Sequence, residues 1–285
     1  MNDLRSLWDF DDPLASEARF DELIASTSDP ALRAEAITQK ARAQGLQRRF
    51  EDARLTLTGV APLLVEGGGR GEAAYWLELG RLENSSGNPD AAKPCFLKAL
   101  DAAVLAGCEF LAVDAAHMMG IVEKGESSLQ WNLRAIEMAE AATEARARNW
   151  QGSLLNNTGW TLYGLGRFTE ALATFRKALA FREEKGDAGD IRIARYCVAK
   201  ALRALGQVEE SLGLQSELEK EIVLAGSDPG FNWEEIGECL LALGRAEEAA
   251  LYFAKAFEAL SKDAWIVAEE PERLRRLKDL GLDGG

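Results

Sequence analysis

The chain has 285 residues, is 47% hydrophobic and carries a net charge of −14 from 47 acidic and 33 basic side chains. Such an acidic balance disfavours nonspecific binding to nucleic acid or to an anionic membrane, and no basic run is interleaved with aromatics as a single-strand binder requires. No apolar stretch reaches the roughly 18 residues that span a bilayer.

The opening segment, MNDLRSLWDFDDP, has no cationic stretch followed by an apolar one, so no secretory signal is expected. Asp9, Asp11 and Asp12 lack the mid-loop glycine and late glutamate of a calcium loop, so they predict a helix-capping turn. Asp12-Pro13 then leads into a helix with Leu14, Phe20, Leu23 and Ile24 along one face. Residues 1–33 are expected to form an N-terminal cap.

Six segments of one pattern follow. Each carries two small residues twelve positions apart: Ala41/Ala53, Gly80/Ala92, Ala116/Ser128, Gly159/Ala171, Ala199/Ser211 and Gly237/Ala249. Successive first members are 39, 36, 43, 40 and 38 residues apart, a self-similarity that marks a stacked repeat array. Each unit reads as two amphipathic helices joined by a short turn, with the small residues letting the two axes approach. In the fourth unit, Leu155, Leu162, Phe168, Leu172, Phe175 and Leu179 recur at helical spacing, and Gly164 and Gly166 break the run.

Three units share a bulky residue before the first small one, a turn glycine, Ala, Phe and a second Ala: Trp76/Gly80/Gly87/Ala92/Phe96/Ala99, then Gly159/Gly166/Ala171/Phe175, then Trp233/Gly237/Gly244/Ala249/Phe253/Ala256. On these residues the chain resembles the tetratricopeptide repeat family from about 34 to 263, in a longer form than the family's usual repeat of about 34 residues. Three units depart from the pattern. Arg48 stands where the first unit would have its turn glycine, Glu123 stands there in the third, and Asn132 and Gln215 replace the aromatic in the third and fifth.

The resemblance implies an all-α, right-handed superhelical α-solenoid of about six helix pairs. It would form one domain over 1–285, with repeats over 34–264 and a C-terminal cap helix over 265–285. Pro271 is expected to open that helix and Gly281 to stop it. The glycine-rich Gly67-Gly68-Gly69-Arg70-Gly71 has no preceding strand and no Lys-Ser/Thr ending, so it predicts a linker and not a phosphate loop.

No catalytic set emerges. Cys95, Cys108, Cys197 and Cys239 are scattered without CxxC spacing, and His117 is the single histidine. Neither a zinc site nor a Cys-His nucleophile is expected, and the chain is read as non-enzymatic, without cofactor or metal, in a reducing cytoplasm. The resemblance points to the first helices of each pair as the lining of a concave groove that takes a protein or peptide segment. Helical geometry puts Arg42, Arg81 and His117 there from early units, Asn156, Trp160 and Tyr163 from the fourth, and Tyr196, Lys200 and Arg203 from the fifth. Aromatics are expected to give affinity, and Lys200 and Arg203 to orient an acidic end. Self-assembly into a homodimer and sensing of a signalling peptide or small ligand stand as the alternatives.

Overall fold

The computed structural model describes residues 4–64 and 69–282. Gly67 and Gly68 of the predicted linker lie outside the described residues. The chain divides into two compact units, 1–154 and 155–285. Among the described residues every regular element is helical.

In the N-terminal unit a 3-10 turn, Leu4–Leu7, precedes α1 (Pro13–Ser26). Three helix pairs follow: α2 (Pro30–Leu46) with α3 (Phe50–Thr58), α4 (Arg70–Ser85) with α5 (Pro89–Leu105), and α6 (Glu109–Val122) with α7 (Gly125–Ala141). A short α8 (Ala145–Arg148) leads to α9 (Gln151–Gly164), within which the division falls. The C-terminal unit pairs α9 with α10 (Phe168–Lys185), α11 (Ala188–Ala204) with α12 (Val208–Leu224), and α13 (Gly230–Ala242) with α14 (Ala246–Leu260). It closes with α15 (Ala264–Glu269) and α16 (Pro271–Leu282). The six pairs are those read from the sequence.

Local chemistry sets the helix ends. The Asp12 carboxylate accepts from the Ala15 amide at 2.9 Å, and Asp9 accepts from the amides of Asp11 and Asp12, so the acidic cluster is a capping turn. Asp29, Asp187 and Asp263 cap α2, α11 and α15 in the same way. Inside the pairs the turns are tight. At the α9–α10 turn Gly166 takes a left-handed φ of 74°, which glycine adopts without a side-chain clash. Arg48 adopts the same region, φ 61°, where the first unit lacks that glycine.

The interlock within a pair is a bare or small site on the first helix facing a bulky side chain on the second. A methyl group placed on Gly80 or Gly237 would meet the ring of Phe96 or Phe253 at 2.5 and 2.8 Å, respectively. Phe96, Phe175 and Phe253 have no exposed surface, and each contributes about 2–3 kcal/mol by leaving water. The two amide replacements are buried as well, and their units carry serine at the second small position. Ser128 donates to the Gly120 carbonyl at 2.6 Å and Ser211 to the Ala199 carbonyl at 2.7 Å, bonding across the pair. Asn232 of α13 then donates to the Gln215 side-chain oxygen at 2.6 Å.

Three expectations shift. Leu14, in the first turn of α1, is 63% exposed and is not part of the helix's core face. Gly281 does not stop the last helix. It lies within α16, against the Ala254 backbone, where a side chain would clash. The C-terminal segment is two helices, because Pro271 cannot donate to the preceding turn and so starts a new one.

Candidate functional site

In the C-terminal unit, the residues predicted to line the groove are brought together but are largely engaged with one another. Trp160 is half-buried, its ring edge-on to Tyr163 at 5.6 Å and to Phe175 at 5.3 Å. Tyr163 in turn meets Phe168 at 5.0 Å. The Asn156 side-chain oxygen accepts from the Cys197 thiol at 3.4 Å.

Lys200 and Arg203 are both tied to Glu235, which is 1% exposed on its side chain. Arg203 Nε donates to Glu235 Oε2 at 2.9 Å, and Lys200 Nζ binds Oε1. Burial raises the Glu235 carboxyl, but Lys200 and Arg203 outweigh it and hold the group below its usual range. The Tyr196 hydroxyl is pushed well above its ordinary value by burial and by Glu235 and Glu234. The two cations expected to receive an acidic ligand are therefore already engaged, both by the one carboxylate of Glu235. Glu235 sits on α13, the first helix of the next pair, a contact no single-helix reading reveals.

The same device recurs. Arg273 donates to Glu234 at 2.9 Å, and Arg276 pairs with Glu238. In the N-terminal unit Arg70 forks onto both oxygens of Glu35, and Arg81 bridges Glu78 and Asp114 at 2.5 Å each. The first helices α2 and α4, α4 and α6, and α11 and α13 are stitched by buried or half-buried ion pairs.

Arg81 and His117, also expected in the groove, lie in the N-terminal unit. His117 packs its ring against Trp150, centroids 4.9 Å apart. Burial lowers its pKa, and the opposing pull of Asp114 does not restore it. Arg81 lines an open cavity of about 620 Å³ that His117 does not line. The floor comes from α2, α4 and α6, with Arg42, Leu77 and Asp114. One wall is the N-terminal segment. Trp8 and Phe10 stack in parallel at 4.8 Å, and Trp8 Nε1 donates to Gln39 at 3.0 Å. The opposite wall is Phe110 and Trp150, 6.1 Å apart, with the Arg146 guanidinium 3.5 Å over Phe110.

This cavity was not singled out from the sequence. Trp8 and Phe10 come from a segment before the first α-helix, and Trp150 from the connection between α8 and α9. Neither carries a helical period that would assign its side chains to a face. Among the described residues no three His, Cys, Asp or Glu side chains are placed to hold a metal ion, and no helix is long and apolar enough to cross a membrane. All four cysteines are free thiols.

Residues 152–185 and 73–103 match models of the tetratricopeptide repeat. No curated protein matches the chain by sequence. The fold is shared with solved structures at low identity. The apo form of RapI aligns with a TM-score of 0.76 at 12% identity, over 98% of this chain and 80% of that one. A Rap protein complexed with competence and sporulation factor aligns with a TM-score of 0.61 at 14% identity, over 99% and 85%. A signal transduction ATPase with numerous domains and a tetratricopeptide repeat sensor, from Pyrococcus horikoshii, aligns with a TM-score of 0.73 at 14% identity over 93% of this chain. The chain spans 41% of the length of that Pyrococcus protein.

Proposed function

The chain carries tetratricopeptide repeats, and from that premise we propose that it is a non-catalytic scaffold binding a protein or peptide segment on the faces of its first helices. One observation carries this reading. The N-terminal unit holds a cavity of about 620 Å³, within the few-hundred to thousand Å³ range of ligand sites, walled by aromatics and floored by first helices. Aromatic and arginine side chains are those that dominate binding energy at interfaces. The reading moves the site from the fourth and fifth units, whose Lys200 and Arg203 are both engaged by Glu235, to the first three.

A second reading is a regulatory module that senses a signalling peptide. The likeness in fold to a Rap protein solved with competence and sporulation factor supports it. Assembly of two copies through the same face is the third.

A photo-cross-linking residue at Asn149, exposed on the cavity rim, tests the proposal against the same residue at Leu224, 90% exposed on a second helix. The expected result is one partner segment cross-linked from 149 in the native lysate and not from 224. Identical products from both positions would refute the reading. Products containing only this chain would transfer it to self-assembly.

A further inference from the structure

The arginines of the N-terminal cavity are unequally employed. Arg81 hydrogen-bonds to Glu78 and Asp114, and Arg70 takes both oxygens of Glu35. Glu144 accepts from the Phe110 amide at 3.2 Å. Arg42 is different. Among the described residues it makes no hydrogen bond, and its one ionic contact is to Glu78 at 3.8 Å, the oxygen that Arg81 already holds at 2.5 Å. Its guanidinium is instead held over the rings of Trp8 and Phe10, 5.6 and 5.7 Å from their centroids.

A guanidinium offers five N–H donors in a planar fork. Those of Arg42 make no hydrogen bond among the described residues, and its side chain, which lines the cavity, is 31% exposed. Burial, and then the like charge of Arg81, weaken its hold on its proton, and the neighbouring carboxylates only partly compensate. A bound anion would supply what is missing.

The charge and shape of the cavity narrow the class. Its lining holds five arginines against four carboxylates, a surplus of one positive charge inside a chain of net −14. A monoanion balances that surplus. A phosphate dianion would set excess negative charge among Glu35, Glu78, Asp114 and Glu144. The planar fork matches a carboxylate in two parallel hydrogen bonds. The space beyond Arg42 lies between two aromatic pairs and is far larger than a carboxylate alone requires.

We propose that this cavity binds the carboxylate of a ligand bearing an adjacent aromatic or branched apolar group, with Arg42 as the carboxylate receptor and Trp8, Phe10, Phe110 and Trp150 enclosing the apolar part. The proposal rests on the partner-binding reading above and gives that site its ligand chemistry. The carboxylate belongs to the last residue of a peptide or to a free acid of the same kind.

The test is binding of N-acetyl-L-phenylalanine and of its neutral amide to the full chain, followed by saturation-transfer NMR. The acid is expected to bind about tenfold more tightly than the amide, the worth of one charge-assisted pair. Arg42→Gln should abolish that preference, and Arg275→Gln, at an exposed position of α16 that does not line the cavity, should keep it. Tighter binding of a pentapeptide ending in free Phe would assign the carboxylate to a chain terminus, and no gain over the acid would assign it to a small molecule. Equal binding of acid and amide, no binding of either, or an acid preference that survives in Arg42→Gln overturns the proposal. If Arg42→Gln does not fold, the acid–amide comparison on the native chain decides. A partner captured at position 149 would stand whichever way this experiment falls, so the two readings fail separately.

Discussion

Gly159 of α9 packs against the ring of Phe175 of α10 so closely that a methyl group added to it would overlap the ring atoms Cδ1, Cε1 and Cζ. Adding that methyl forces one of the two helices or the ring to move. Overpacking of this kind costs about 1–3 kcal/mol, and the gain in helix propensity from Gly to Ala returns about 1 kcal/mol. Gly159→Ala is therefore expected to destabilise the fold by roughly 1 kcal/mol, read as a shift in the urea midpoint. Combining it with Phe175→Leu should cost less than the two single changes summed, and strict additivity would show that the contact does not govern the pair.

The trio Lys200, Arg203 and Glu235 predicts an asymmetric response. Glu235→Ala leaves two half-buried cations facing each other and should cost about 3 kcal/mol. Replacing all three with apolar residues of similar size should return stability close to that of the native chain. The Glu235 carboxyl is held below its ordinary value of 4.5 in the folded state. Its contribution is therefore complete above that value and is lost as the pH falls through the lower folded one. Glu235→Gln should flatten that part of the acid unfolding curve. A curve unchanged by the substitution would contradict the assignment.

Because His117 is the single histidine, its ring protons report one titration without assignment. Burial disfavours the imidazolium, so its midpoint should fall below the ordinary value of 6.5. Stability is then whole above 6.5 and declines as the pH drops below it, since the unfolded chain takes up a proton that the folded one resists. His117→Gln should remove this slope. A midpoint at or above 6.5 would place the ring in contact with solvent or with an unshielded Asp114.

The helix pairs were legible because their signal is local. Gly166 at a turn, Asp12 and Pro13 at a start, and Gly237 with Phe253 across one hairpin each act within a few turns of chain. The engagement of the predicted groove residues was not. Lys200 meets Glu235 only because α11 and α13 are packed side by side, and nothing in either helix alone announces the pairing. Trp8 and Trp150 are further still from any periodic cue. Their meeting around one cavity is a product of tertiary packing, and so is the leftover donor capacity of Arg42.

The cysteines are expected to be sluggish. Burial pushes the Cys197 thiol up to about 12 and raises those of Cys95, Cys108 and Cys239. Only the thiolate is nucleophilic, so iodoacetamide at neutral pH should label the folded chain slowly, starting at half-buried Cys108, and all four rapidly in urea. Fast labelling of Cys197 in the folded protein would reveal an opening of the α9–α11 contact.

The short turns inside the pairs and the uneven connections between them divide the chain into places that tolerate extra length and places that do not. From Gly80 to Phe96, Gly159 to Phe175 and Gly237 to Phe253 the count along the chain is the same, whereas successive units begin at intervals from 36 to 43 residues. Each hairpin therefore behaves as a cassette of fixed phase. One residue inserted between Gly159 and Phe175 would rotate every later side chain of the cassette by about 100° and scramble the interlock. The same residue inserted at Ser227 or Asp228, in the exposed connection from α12 to α13, would leave both neighbouring cassettes in phase. A change of length is therefore expected to be tolerated at the α12–α13 connection and not within a hairpin, and that connection is where a reporter tag can be threaded without loss of folding.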